Sequence, residues 1–243
     1  MLHKTKGLVL RTVKFGESSL VVSCYTELFG LQSYIVNSVR TVSKKGASKA
    51  SYFQPGALLD LEAYHNDFKN LQRIKEYRWG ELYNEIFSNI FKHAVCMYVV
   101  ELLGRCLKEP EPNAELFYFV EDALQQLNAA TPAVTANFPL FFALHLPYFF
   151  GFRIADEPVS EYLDLAEGAF TSLLPRHPNY LEGKDAAAVS HILKVQHPTE
   201  LQDIKLTRDD RRRILSALEG YYALHIPDFG QLKAGPVLQE LLN

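Results

Sequence analysis

Leu71-Gln72-Arg73-Ile74-Lys75-Glu76-Tyr77-Arg78, followed by Trp79-Gly80-Glu81, is the stretch that decides the fold. Up to Arg78 the residues read as a short strand. From Trp79 the apolar spacing turns helical: Leu82, Ile86, Ile90, Ala94, Met97, Val100 and Leu103 recur at three- and four-residue steps. With no internal proline, this predicts one long amphipathic helix to about Leu107, ended by Pro110 and Pro112.

Working back from that point, four more strands are predicted. Gly7 to Lys14 and Leu20 to Thr26 are runs rich in β-branched residues, separated by a turn at Gly16-Glu17-Ser18. Glu27-Leu28-Phe29-Gly30 offers a hairpin connection whose glycine is free to take a positive φ. Leu31 to Val42 alternates, and so does Ala57 to Tyr64. Five short strands within 79 residues fit a small closed or nearly closed barrel. Working forward, Asn113 is placed to cap a helix that buries Leu116, Phe117, Val120, Leu124 and Leu127. A phenylalanine-rich stretch from Asn137 to Phe152 is bent by Pro147. Thr207-Arg208-Asp209-Asp210 opens a helix that Pro227 ends, and a short helix spans about Pro236 to Leu242. Residues 158–184 show no period. The expected class is α+β with two domains, a five-stranded barrel over 1–79 and a mostly helical domain over 80–243.

Charge divides at the same place. Residues 1–79 carry 12 Lys+Arg against 6 Asp+Glu, and residues 80–243 carry 13 against 22. A basic unit joined to an acidic one points to polyanion binding by the first. Cys24, Cys96 and Cys106 are odd in number and lie in apolar segments, which argues against a disulfide framework and for a reducing, cytoplasmic setting. Met1 to Lys6 runs into a strand pattern rather than a signal peptide. No window comes near 18 consecutive apolar residues, so no membrane span is expected.

The chemistry of common enzymes is missing. There is no Gly-x-x-x-x-Gly-Lys-Ser/Thr loop, no Gly-x-Ser-x-Gly elbow, no clustered metal ligands and no singled-out carboxylate pair. The expectation is a non-enzymatic protein with no cofactor. What is present is a connector from Arg40 to Tyr52 with Arg40, Lys44, Lys45 and Lys49 and no anion. Small residues and point charges of this kind suit a sugar-phosphate chain. Arg11 and Lys14, with Lys4 and Lys6 before them, extend the track, and Tyr34 and Tyr52 offer stacking faces to unpaired bases unless they belong to the core. Arg208, Arg211, Arg212 and Arg213 open a helix beside Ile214 and Leu215, a combination suited to an acidic peptide ending in a carboxylate. The same arginines equally fit ion pairs with Asp209, Asp210 and Glu219 on a solvated face.

Gly7-Leu8-Val9-Leu10-Arg11-Thr12, Phe15-Gly16-Glu17-Ser18-Ser19-Leu20-Val21-Val22, Tyr25-Thr26-Glu27-x-x-Gly30, Gln54-Pro55-Gly56 and Leu59-Asp60-Leu61-Glu62 together resemble the bacterial RecO family. Tyr221-Tyr222-Ala223-Leu224-His225, Leu232-Lys233 and Val237-Leu238 resemble its last helices. The resemblance implies an OB-fold barrel followed by a helical domain, and a role in DNA repair and recombination. The activities it implies are binding of single- and double-stranded DNA, strand annealing and recombinase loading. The partners it implies are RecR and the acidic C-terminal tail of single-strand-binding protein. On matching positions Arg11, Arg40, Lys44, Lys45 and Lys49 belong to the DNA side of the barrel. Many members carry a four-cysteine zinc site, but this chain has no cysteine after Cys106. No zinc is therefore expected, and Phe170, Leu174, Tyr180 and Leu181 are expected to hold that region by packing. Two other readings remain open at this level: a scaffold that binds only proteins, and an enzyme working at Phe138 to Phe152.

Overall fold

A computed structural model describes residues 1–40, 49–155 and 160–241. The chain forms two compact units, Met1–Asn84 with Leu107–Asp122, and Glu85–Cys106 with Ala123–Asn243.

The first unit is built on a closed five-stranded barrel. Strands β1 (Leu2–Phe15), β2 (Ser19–Thr26), β3 (Gly30–Val36), β4 (Leu58–Tyr64) and β5 (Leu71–Glu81) lie in the order β1-β2-β3-β5-β4. β1 serves both ends of that order. Its first half pairs with β4 and its second half with β2, and a register shift between Val9 and Arg11 marks the bend that lets one strand do both. The alternation puts Leu8, Leu20, Val22, Cys24, Tyr34, Val36, Leu59 and Leu61 in the core. Gly30 takes φ +60°, and a Cβ there would lie 2.2 Å from the Glu111 carbonyl oxygen, so only glycine admits the segment that crosses it. That segment is also held by Tyr25, whose hydroxyl donates to the Asn113 carbonyl at 3.0 Å.

The period change comes later than Trp79. β5 continues through Trp79, which lies opposite Leu59, and absorbs Gly80 in a bulge before Glu81 meets Leu58. The expected single helix is two: α1 (Asn84–Ser88) and α2 (Ile90–Cys106). They break at Asn89, whose side-chain oxygen accepts the backbone N–H groups of Phe91 and Lys92 and starts α2 afresh. Helix α3 (Ala114–Ala129) opens on Asn113, whose side-chain oxygen accepts the Leu116 N–H at 2.9 Å.

In the second unit α4 (Pro132–His145) is buried nearly all round. It packs against α2, against α5 (Gly183–Leu193) and against α6 (Arg208–His225). With the following 3₁₀ turn at Pro147, its stretch Pro132–Phe150 is long and apolar enough to span a membrane by length and composition, which the absence of an unbroken apolar run did not suggest. Two thirds of it is buried within this unit, as befits a core helix. Asn137 donates to the carbonyls of Leu201 and Ile204, satisfying a loop end. α6 begins with a capping box between Thr207 and Asp210 and stops at Ile226 before Pro227, and α7 (Ala234–Leu241) closes the chain.

The region without period holds a small antiparallel sheet of β6 (Tyr162–Asp164), β7 (Ala169–Thr171) and β8 (Tyr180–Glu182). Strands of three residues are too short to show alternation. Phe170 and Leu181 are buried there, whereas Leu174 is 59% exposed and takes no part in the packing expected of it. The ligands of a zinc site do not fit this region. Among the described residues no group of three or more His, Cys, Asp or Glu converges, and the three cysteines are each buried and free.

Candidate nucleic-acid interface

The outward side chains of β2 and β3 follow from the same alternation that fills the core. Val21 lies opposite Ile35, and Ser23 opposite Ser33. β1 extends these pairs with Val13 and Arg11, and β5 with Arg73 and Leu71. Register therefore sets two rows across four strands: Arg11–Ser23–Ser33–Leu71 and Val13–Val21–Ile35–Arg73. A third row starts with Phe15 opposite Ser19, whose hydroxyl donates to Asn37. Phe15 and Val13 stand about half exposed, at 53% and 46%. The face is a curved strip of small polar and aliphatic groups, bordered by arginine on β1 and on β5 and ending in an aromatic ring.

The cations of this unit fall into two sets. One set is neutralised. Lys6 lies 2.6 Å from Glu121, Arg78 lies 2.9 Å from Asp60, and Lys4 and Lys75 each reach Glu62 at 3.4 Å. The groove over that side, about 490 Å³, is lined by Lys4, Lys6 and Arg78 but also by Glu27, Asp60 and Glu62. Those carboxylates would repel a polyanion. Lys4 and Lys6, expected to extend the basic track, are each paired with a carboxylate distant in sequence. The Glu121 carboxylate also raises the Lys6 ammonium above its ordinary pKa.

The other set has no carboxylate. Arg11, Lys14, Lys49 and Arg73 are exposed and make no ion pair among the described residues. Arg40 is fixed by backbone alone. Its N–H donates to the Ser18 carbonyl and its guanidinium to the Gly16 carbonyl, which ties the end of the β3 region to the β1–β2 turn, and it has no carboxylate partner among the described residues. The Thr12 hydroxyl donates to the Phe53 carbonyl and brings the 3₁₀ turn Lys49–Phe53 alongside β1. Arg11, Lys14, Arg40 and Lys49 are thus brought to β1 and the connections beside it. Lys44 and Lys45 lie outside the described residues.

Of the two tyrosines weighed between stacking and core, Tyr34 belongs to the core and Tyr52 is half-buried. Tyr34 points inward, 1% exposed, and burial pushes its hydroxyl well above the usual pKa. Tyr52 lies against Trp79 with ring centres 4.7 Å apart. The residues missed from the sequence are Arg73 and Phe15. The Arg11-Val13-Phe15 alternation was the available signal for the second, whereas Arg73 joins the face through a parallel β3–β5 pairing that no local pattern reports.

In the second unit the arginine cluster divides. Arg213 is committed to Asp185 at 2.9 Å and to Asp210 at 2.5 Å. Hydrogen bonds from Lys184 first, then Thr207 and Arg213, hold the Asp210 carboxyl far below its ordinary range. Arg208, Arg211 and Arg212 instead rim a small cleft floored by Pro139, Leu140, Leu215 and Leu238. Arg211 donates to the Leu206 carbonyl, and burial lowers its pKa. An apolar floor with a cationic rim is the chemistry of a pocket for a hydrophobic residue next to a carboxylate.

Comparison with known proteins bears on the whole chain. Residues 1–83 match the family model "Recombination protein O N terminal" and residues 88–233 match "Recombination protein O C terminal". The chain is 33% identical over 246 residues to the DNA repair protein RecO of Bacteroides fragilis, with both chains covered in full. It is 33% identical over 247 residues to that of Christiangramia forsetii and 31% over 253 to that of Flavobacterium johnsoniae, again with full coverage. With a closed five-stranded barrel ahead of a helical unit, and with both halves of the family pattern matched in order, the chain belongs to the RecO family of DNA repair and recombination proteins.

Proposed function

We propose that this chain is a recombination mediator that binds single- and double-stranded DNA on the β2–β3 face of its barrel and does no covalent chemistry. In this reading it anneals complementary strands and helps load recombinase onto DNA coated by single-strand-binding protein. One observation carries the proposal: Arg11, Lys14, Lys49 and Arg73 stand exposed with no carboxylate partner among the described residues, while the cations on the other side of the barrel are paired. Arg11 and Arg73 border the strip of small side chains, Lys14 and Lys49 lie on segments beside it, and uncompensated cations of this kind release counterions from a phosphate backbone without reading sequence. Residues 1–79 form the DNA-binding domain of this account, with Lys44 and Lys45 adding to the charge, and residues 80–243 the partner-binding domain. RecR is one partner. The acidic tail of single-strand-binding protein is the other, with its terminal carboxylate among Arg208, Arg211 and Arg212 and its apolar residues on Leu215 and Leu238. The setting is the bacterial cytoplasm, at the nucleoid during repair.

Fluorescence anisotropy with labelled single-stranded and duplex oligonucleotides across a salt series tests the proposal. Affinity should fall steeply with salt, and each of Arg11→Gln, Lys14→Gln, Lys49→Gln and Arg73→Gln should lower the salt slope by roughly 0.7 to 0.9. Absence of DNA binding at low salt would leave a protein-only scaffold as the better reading.

A further inference from the structure

The turn joining β4 to β5 presents a phenylalanine to water. Phe68 is 97% exposed, more than any other large apolar residue of the chain among those described. Leaving such a ring in water forgoes the free energy of burying it. A lone exposed apolar side chain is ordinary by itself, but three features set this one apart.

The first is rigidity. The Phe68 N–H donates to Asn66 Oδ1 at 2.9 Å, and the Lys69 N–H to the Asn66 carbonyl at 3.0 Å. Gln72, only 4% exposed, spends its whole amide on the same turn: it donates to the carbonyls of Asn66 and Lys69 and accepts from the Asn66 N–H. A buried polar side chain committed in this way fixes the backbone that carries the ring before any ligand arrives. The second is charge. Lys69 and Arg73, on either side of the turn's exit, make no ion pair among the described residues and outnumber the one anion of the turn, Asp67, which shares a hydrogen bond with His65 at 2.8 Å. The third is place. Leu71, 42% exposed, ends the row Arg11–Ser23–Ser33–Leu71, so the turn that carries Phe68 leads directly into the β5 end of the face just described.

We propose that Phe68 is a stacking platform for an unpaired nucleobase, and that it makes single-stranded DNA the preferred ligand of the barrel. This rests on the DNA-binding reading of the same face. A flat ring flanked by two cations takes any base by its π-face while the cations hold the adjacent phosphates. In a duplex the base faces are already covered by their neighbours, so the ring gains nothing there.

Equilibrium binding of a labelled single strand and of a duplex of the same length to Phe68→Ala and Phe68→Trp decides the matter. Phe68→Ala should lose roughly tenfold in affinity for the single strand and under about twofold for the duplex. Its melting temperature should be unchanged, since the ring packs against nothing. Phe68→Trp should retain single-strand affinity, and in a Trp79→Phe background its emission should be quenched by the single strand but not by the duplex. Unchanged single-strand affinity in Phe68→Ala, or equal losses on both ligands, would overturn the stacking role while leaving the β2–β3 face in place. Failure of the unmodified chain to bind either ligand would overturn both.

Discussion

Lys6 Nζ sits 2.6 Å from Glu121 Oε1, whereas Arg11, five residues along the same strand, has no carboxylate partner among the described residues. β1 thus carries a neutralised cation on the half that pairs with β4 and an uncompensated one on the half that pairs with β2. Lys6→Ala should therefore change DNA affinity by less than about twofold. It should cost stability of about 1 kcal/mol at most, as befits a partly exposed pair, measured by urea titration.

Gly30 supports the crossing segment by having no side chain. Gly30→Ala places a methyl 2.2 Å from the Glu111 carbonyl oxygen and a β-carbon at φ +60°. The substitution should destabilise the chain by more than about 2 kcal/mol, combining overpacking with backbone strain. Chemical denaturation would show a midpoint well below that of the unmodified chain.

The start of α6 links stability to acid. Thr207→Ala removes the cap on the Asp210 N–H and should cost about 1 kcal/mol. Asp210 itself has its carboxyl pKa depressed, first by Lys184 and then by Thr207 and Arg213. The folded state thus binds fewer protons there than the unfolded one. Its contribution is full above an ordinary value near 3.8 and is lost as pH falls below it. Asp210→Asn should lower the melting temperature at neutral pH and lose less on acidification from pH 4 to 2.

Glu219 has the opposite sign. Burial first, then the neighbouring Glu101, pushes its carboxyl up to about 7. Glu101 is itself engaged, accepting the N–H groups of Lys233 and Ala234 at the start of α7. A Cβ at Gly235 would lie 2.5 Å from Glu219 Oε1, a measure of how closely α7 approaches. The folded chain binds the extra proton between about 4.5 and 7, so stability is greatest below that window and declines as pH rises through it. Glu219→Gln should raise the melting temperature by a few degrees at pH 8.5 and have little effect at pH 4, read by thermal scans at both values.

The parts legible in the sequence were those governed by local rules. Five strands, the caps at Asn113 and Thr207 and the bend at Pro147 follow from residue type and near neighbours. What escaped depends on distance or on brevity. The strands β6, β7 and β8 are too short to alternate, and Trp79-Gly80-Glu81 suits a bulged strand as well as a helix start. Apolar residues occupy both faces of β3, so nothing local places Tyr34 inside. Sequence charge also identified Lys4 and Arg11 alike as cations. Only the fold sets one against Glu62 and leaves the other open, and the candidate face is defined by that difference.

In the proposed function the uncompensated cations, rather than net charge, hold DNA. Two double substitutions remove the same charge from the same unit: Arg11→Gln with Arg73→Gln, and Lys4→Gln with Arg78→Gln. Single-strand affinity measured at one fixed salt concentration should fall by more than tenfold in the first and by less than about threefold in the second. Equal losses in the two, or a greater loss in the second, would contradict the account.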